Sequence, residues 1–490
     1  MRLIFQVSMY LCIVFPNYNI KNRYMVRNRF LITLLACLFS SVCVSGQTFT
    51  LSLERALDIA LSDNPTIKVA DMEIERQDWV RKQSVGNLLP NISVSGQYSY
   101  SIVKQEMAKG LSFGADNSIS TQASLSLPLY APTVYETLKM NRTQMEQAVE
   151  SARSSKISLA NEVKKGYYNI LLAEQSLAVL KESEASIAQT VKNTETMFKQ
   201  GLASEYDLLS AQVQLSNLRP TIIQTENSIK TSKLLFKMYL GLPESADFTL
   251  EGSLDDFAEE VAMATVPTNE VDLTNNADLR ALDLQAKLLE HQLHLVNASR
   301  LPTVAAFTNF IFSGNDNSMD FSSMIGGPMG GGSSAEKKKE WWWQNPLSAG
   351  ISISIPLFAG GKNINKAHEI RNSLSQLSQQ RDYLRQSVNV QVENAFNNIL
   401  TAREKMTSNE ITVRQAQKAY QIAEVRYGAG AGTILELNSS ELSLTQAKLN
   451  YSQAIYDYLA ARADYEKIIG EGFEIDAPAE SEMPQQTNLE

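Results

Sequence analysis

Between Asn91 and Val103 apolar and small polar side chains take turns along the chain. Ile92, Val94, Tyr98, Tyr100 and Ile102 fall on one side, and Ser93, Ser95, Gln97, Ser99 and Ser101 on the other. A period of two predicts a β-strand. Residues 119–129 alternate in the same way. Residues 347–357 set Leu347, Ala349, Ile351, Ile353, Ile355 and Leu357 against Ser348, Gly350, Ser352 and Ser354. Residues 302–313 alternate less cleanly.

After each strand pair the period changes. Leu159, Val163, Gly166, Ile170, Ala173, Leu177, Leu180, Glu184, Ile187, Val191, Thr194 and Phe198 follow one another at spacings of four and three. The series Val388, Val392, Ala395, Ile399, Ala402, Met406, Asn409, Val413, Ala416, Tyr420, Ala423, Tyr427 does the same. Sustained 3-4 spacing predicts helices packed as coiled coils. The alanines and Gly166 permit close approach. The pattern resumes beyond each break, at Leu208, Ala211, Leu215, Leu218, Ile222 and at Leu437, Ser440, Leu444, Ala447, Tyr451. One helix from Pro132 to Gly201 would be roughly 100 Å long, against roughly 30 Å for a bilayer core.

The chain is written twice. NPTIK at Asn64 resembles NADLR at Asn276, 212 residues on. SLPLY and SIPLF are 228 apart, and Leu240–Gly241 matches Ile469–Gly470 at 229. The growth of the offset puts extra residues between the strands of the second half, in SGNDNSMDFSSMIGGPMGGGSSAEKKKEWWWQN, which is expected to be a loop. The expected division is therefore 1–46 a signal peptide, with 1–24 an upstream extension if Met25 is the start; 47–241 a first repeat; 242–273 an acidic linker; 274–470 a second repeat; and 471–490 a polar tail. Each repeat reads helix, strand pair, long helix, turn, helix, with turns near 201 and 430.

The leader follows from Arg27 and Arg29 before FLITLLACLFSSVCV and small residues up to Gln47. All three cysteines (Cys12, Cys37 and Cys43) precede Gln47, so the exported chain has no thiol chemistry. LLAC ending at Cys37 loosely matches a lipoprotein cleavage box, which leaves lipidation open. Residues 1–46 hold five basic side chains and no acid, so 39 basic and 53 acidic residues remain, a net −14. That balance argues against nucleic-acid binding. No apolar run of 18 residues follows Gln47, so a membrane reading requires a barrel. Strands of about 10 residues with one apolar and one small-polar face fit an outer-membrane barrel, and equally a half-buried soluble sheet. The leader and the long helices favour the barrel. Four strands per chain cannot close one, because about eight are needed, so the copies must share it.

The leader, the doubled strand-pair-and-helix unit, the strand–Pro–Leu–aromatic endings and the turns FKQGLASEYDLLSAQ and RYGAGAGTILELNSS resemble the outer-membrane efflux protein family typified by TolC, over 47–470. The resemblance implies a homotrimer. Its parts would be a 12-stranded barrel in the outer membrane and a 12-helix periplasmic tunnel, with outer-membrane lipid, a periplasmic adaptor and an inner-membrane transporter as partners. The resemblance further implies adaptor docking at Phe198, Gly201, Leu202, Ser204, Tyr427, Gly430 and Thr433. It implies an entrance constriction at Asp207, Tyr427 and Glu436, with Glu436 as a carboxylate ring that sets cation preference. This chain departs from the pattern where Gly432 replaces an arginine and Ser439 a second acid. Pro128, Pro132, Pro356, Gly360 and Gly361 would form the strand–helix junctions. Trp341–Trp343 would belong to an interfacial aromatic belt.

No enzyme chemistry is expected. There is no nucleophile elbow and no catalytic cysteine, and GGPMGGG lacks the Lys-Ser/Thr of a phosphate loop. His291 and His294, at i, i+3, lack further ligands, so neither metal nor cofactor is expected. The leading function is the outer-membrane duct of a tripartite efflux pump. The alternatives are a duct for type I protein secretion and, in another class, a periplasmic coiled-coil scaffold that forms no pore.

Overall fold

The computed structural model describes residues 49–103, 105–108, 111–113, 115–263, 272–316 and 341–470. The expected leader with Cys37, most of the loop before Pro346 and the polar tail lie outside the described residues. The first elements are β1 (Phe49–Leu51), α1 (Leu53–Asp63), α2 (Pro65–Gly86), β2 (Asn91–Tyr100), β3 (Gln105–Ala108), β4 (Leu111–Phe113), β5 (Asn117–Tyr130), α3 (Pro132–Lys199) and α4 (Glu205–Leu240). There follow β6 (Phe248–Leu250), α5 (Leu254–Met263), a 3-10 turn (Leu273–Asn275), α6 (Ala277–Ala298), β7 (Thr303–Asp316), β8 (Trp341–Gln344), β9 (Leu347–Ser354), α7 (Lys362–Gly428) and α8 (Ile434–Ile469).

The chain divides into two compact units. In the small one, β1 pairs in parallel with β6, Phe49 opposite Phe248. The large unit holds the other described elements. Its main sheet is antiparallel in the order β2-β5-β7, and β7 then pairs with both β8 and β9. Ser313 faces Gln344 and Phe310 faces Leu347, so the register carries across Asn345–Pro346 without gain or loss. The carbonyl of Pro346 accepts from Ile311 N at 3.0 Å. β8 and β9 are therefore one strand, interrupted where proline lacks an N–H. This corrects the expected loop, whose two ends, Ser313–Asp316 and Trp341–Gln344, pair with each other.

The registers put the two predicted faces in line. Ile92 is opposite Leu125, Leu125 opposite Thr308, and Ala306 opposite Ile351, all on one parity. On the opposite face Ser93 bonds Ser124 at 2.7 Å and Ser99 bonds Ser118 at 2.6 Å, hydroxyl to hydroxyl. Trp341 and Trp343 share the apolar face with Phe312. The Trp343 ring stacks 5.0 Å from Phe312 and 5.7 Å from Trp341. Gly314 makes the room, since a Cβ there would stand 2.6 Å from the Trp343 ring.

The helices bury the predicted stripes in part and half-bury most of their other positions. Val163, Ile170, Leu180, Ile187 and Thr194 of α3, and Val388, Val392, Ala395, Ile399, Ala402 and Met406 of α7, are buried. α3 also buries Ile157, Tyr167, Leu171 and Val179, because it packs against α2, α4, α6 and α8. Gly166 sits where a Cβ would be 3.0 Å from Phe236 of α4. Among the described residues no helix is long and apolar enough to cross a membrane.

The two strand endings differ. β5 runs through Pro128, which pairs opposite Ala305 with a bulge before Tyr130, and α3 starts at Pro132 as its first residue. β9 stops at Ser354, short of the expected Leu357. Pro356 lies two residues past the last pair, so it ends nothing by lost pairing. There the chain turns at Gly360 and Gly361, with φ of +60° and +76°, and Gly361 caps α7.

Candidate functional site

The predicted tip residues lie at two helical turns of the same construction. α3 ends with Leu202 N donating to Met197 O at 2.8 Å and Gly201 N to Phe198 O at 2.9 Å. α7 ends with Ala431 N donating to Arg426 O at 2.8 Å and Gly430 N to Tyr427 O at 2.9 Å. This 6→1 and 5→2 pairing closes a helix on a left-handed residue. Gly201 and Gly430 supply it, at φ of +74° and +71°.

The next helix starts on a hydroxyl in each case. Ser204 Oγ accepts from Asp207 N at 3.1 Å, and Asp207 Oδ2 accepts from Ser204 N at 3.0 Å, a capping box. Thr433 Oγ1 accepts from Glu436 N at 3.2 Å. Asp207 and Glu436 thus hold the same place, three residues past a cap, where a carboxylate also favours the positive helix end. In this chain Asp207 is bonded within its own turn.

Tyr427 is buried, and its hydroxyl lies 3.0 Å from that of Thr194 in α3. Its ring belongs to a cluster with Ala211, Ile434 and Leu437, so it ties the two helical hairpins and is not part of the surface. Phe198 and Leu202 are exposed. Gly432 is confined, since a Cβ would stand 3.1 Å from Tyr427 N and 3.2 Å from Arg426 Cβ. The cation near Glu436 comes from Arg426, whose Nη1 is 3.8 Å from Glu436 Oε2 and whose Nη2 donates to Ala431 O at 3.2 Å.

One polar group was missed. Glu441 of α8 is buried between the hairpins. Ser183 Oγ donates to its Oε1 at 2.9 Å and Ser186 Oγ to its Oε2 at 3.3 Å. Thr445 donates to Ser183 at 2.9 Å, and Tyr420 Oη lies 2.8 Å from Ser186 Oγ. Burial pushes the Glu441 carboxyl up from its ordinary range against the pull of the two serines, and burial raises Tyr420 too. The 3-4 spacing predicts Glu184 and Ser440 on the stripes, whereas the buried residues are Ser183 and Glu441. Spacings of 3-4 and 4-3 differ by one residue at such a step, and polar residues at both choices hid the error. Among the described residues no group of three metal-ligating side chains converges. His291 Nδ1 is buried without a hydrogen-bond partner.

The family model of outer membrane efflux proteins matches residues 56–241 and 271–471. Outer membrane protein TolC of Vibrio cholerae is 22% identical over 389 residues, 78% of this chain and 82% of the relative. Alkaline protease secretion protein AprF of Pseudomonas aeruginosa is 24% identical over 430 residues, 85% and 83% of the two chains. Among solved structures, CusC superposes with a TM-score of 0.68 at 17% identity, over 89% of this chain and 96% of the other.

Proposed function

The chain belongs to the outer membrane efflux protein family, and from that premise we propose that it is the outer-membrane exit duct of a tripartite pump. Three copies would join their sheets into a 12-stranded barrel and their helices into a periplasmic tunnel. The observation that carries this reading is the sheet. One of its faces is apolar through four strands, while the other carries the serines of β2, β5 and β9, hydroxyl-bonded between β2 and β5, with Phe307 and Ile311 of β7 among them, and the strands lead through Pro132 and Gly360–Gly361 into two helices of 68 and 67 residues. Lipid accepts the first face and a water-filled lumen the second. An open sheet in a membrane would leave unpaired backbone groups. β2 and β9 lie at opposite ends of the strand order, antiparallel to each other, as joining copy to copy requires.

On this reading the adaptor docks at the tips, on Phe198, Gly201, Leu202, Ser204, Gly430 and Thr433, while Tyr427 holds the hairpins from inside. Glu436 and Asp207 lie at the entrance. The likeness to a protein named for alkaline protease secretion favours protein export as the second reading. Detergent-extracted protein in planar bilayers, with outer-membrane fractionation, tests the proposal. Discrete conductance from a membrane-embedded trimer is expected. A soluble periplasmic protein without conductance would overturn it in favour of the scaffold.

A further inference from the structure

Among the described residues two carboxylates are deeply buried in the helical body, and they differ. Glu150 has guanidinium partners, with Arg153 Nη2 at 2.6 Å and Arg280 Nε at 3.3 Å. Glu441 has only hydroxyl hydrogen-bond partners, from Ser183 and Ser186 of α3, backed by Thr445 of its own helix and Tyr420 of α7. A buried carboxylate without a paired cation favours its neutral form. The hydroxyl chain accepts either state. When neutral, the carboxyl donates to Ser186, which donates to Tyr420. When ionised, Ser186 donates to the carboxylate and Tyr420 to Ser186. The location matters as much as the chemistry. α3 belongs to one hairpin, α7 and α8 to the other, and Tyr420 is roughly 15 Å of helix from the turn at Gly430.

We infer that Glu441 is a proton-sensitive latch between the hairpins α3–α4 and α7–α8. Neutral, it holds them together above the tip. Ionised, it leaves a charge among hydroxyls and apolar side chains, and the hairpins part more readily. The charged groups around it do not reverse this. Glu182 of α3 opposes ionisation and Lys448 of α8 favours it, and those two pair with each other at 2.7 Å. Glu424 of α7 acts on Tyr420. The nearby contacts of α4 are neutral, from Ser210 and Gln214 to Asn438. The sign follows from the raised carboxyl. Below about pH 4.3, the ordinary glutamate value, the group is neutral folded or unfolded, and its contribution is fully present. As pH rises past that value the unfolded chain ionises first, and the contribution is lost up to the folded value. The latch itself does not require a pore, but its consequence for passage rests on the duct reading.

The test compares full-length protein and Glu441→Gln in detergent, by thermal unfolding across pH, and in bilayers, by conductance across the same range. The wild type should lose a few degrees relative to the variant as pH rises through this window, and its open probability should rise several-fold while the variant stays flat. Parallel melting curves at every pH overturn the latch. If Glu441→Gln does not fold, Ser186→Ala serves instead. It removes a bond that favours the carboxylate and leaves the unfolded chain unchanged, so the drop should start at the same pH but deepen and continue to higher pH, and an unchanged drop overturns the proposal. Lack of conductance from both proteins at every pH counts against the duct and leaves the melting comparison to judge the latch.

Discussion

The side-chain amide of Asn64 donates to the backbone carbonyl of Tyr239 at 2.7 Å, and its oxygen accepts from Thr66 N at the start of α2. Asn276 does the same to Ile468 at 2.7 Å while capping α6 through Leu279 N. Each carbonyl ends a helix whose next glycine, Gly241 or Gly470, is left-handed at φ of +70° or +73°. A Cβ at Gly241 would stand 2.7 Å from Asp63 O, and one at Gly470 would press on Asn275 O. The doubled sequence signals Asn-Pro/Asn-Ala and Leu-Gly/Ile-Gly thus mark one joint made twice, in which one helix start is bound to another helix end.

Asn64→Ala removes a cap and strands a carbonyl, so it should cost about 2–4 kcal/mol. Asn64→Asp keeps the cap and loses the donor, and should fall between the two. Denaturant unfolding of each variant measures this. An aspartate as stable as the wild type would show that the link to Tyr239 is idle.

Gly201 and Gly430 have open space where a side chain would go, so substitution there tests the backbone alone. Gly430→Ala should cost about 1–2 kcal/mol, while Gly430→Asn should cost less, since asparagine visits the left-handed region. The comparison is read by thermal unfolding. Equal losses would mean that strain is not the cause.

The long helices, the turns and the strand faces were legible because each repeats a period over many residues. Val163, Ile170 and Ile187 could not be moved off their stripe without exposing it. What escaped had no period. The partner of β6 is β1, nearly two hundred residues away and three residues long. Trp341–Trp343 read as the end of a loop because Pro346 cut the strand signal, and only the register to Ser313–Asp316 restores it. At the tip, Asp207 and Glu436 looked like site carboxylates and are also helix starters. Their capping role was readable from Ser204 and Thr433 three residues before. The Ser183–Glu441 contact requires knowing which helix faces which, and no single-helix pattern carries that.

The membrane reading of the sheet turns on neighbours of opposite parity in β9. Ile351→Lys puts a cation on the apolar face and should cost about 2–4 kcal/mol near the bilayer middle. Ser352→Lys, one residue on, points to the other face and should be tolerated. The yield of heat-modifiable trimer in outer-membrane fractions reports both. Equal yields would mean that the faces are not lipid and water.

On the duct reading, Glu436 would not act at the entrance without a counter-charge, because Arg426 lies beside it. Glu436 alone, repeated three times about an axis, would attract cations and repel anions. Arg426, 3.8 Å away, brings an equal number of positive charges to the same turn. Both side chains are more than half exposed, so the pair contributes little to stability, and its effect is on the field. Arg426→Gln should therefore increase cation preference in bilayer reversal potentials, and Glu436→Gln should shift it towards anions, each by a few-fold and less at high salt. Variants in which both are neutral should resemble the wild type. If Arg426→Gln leaves the reversal potential unchanged while Glu436→Gln moves it, the carboxylate acts without a counter-charge, and the original single-ring expectation for Glu436 stands.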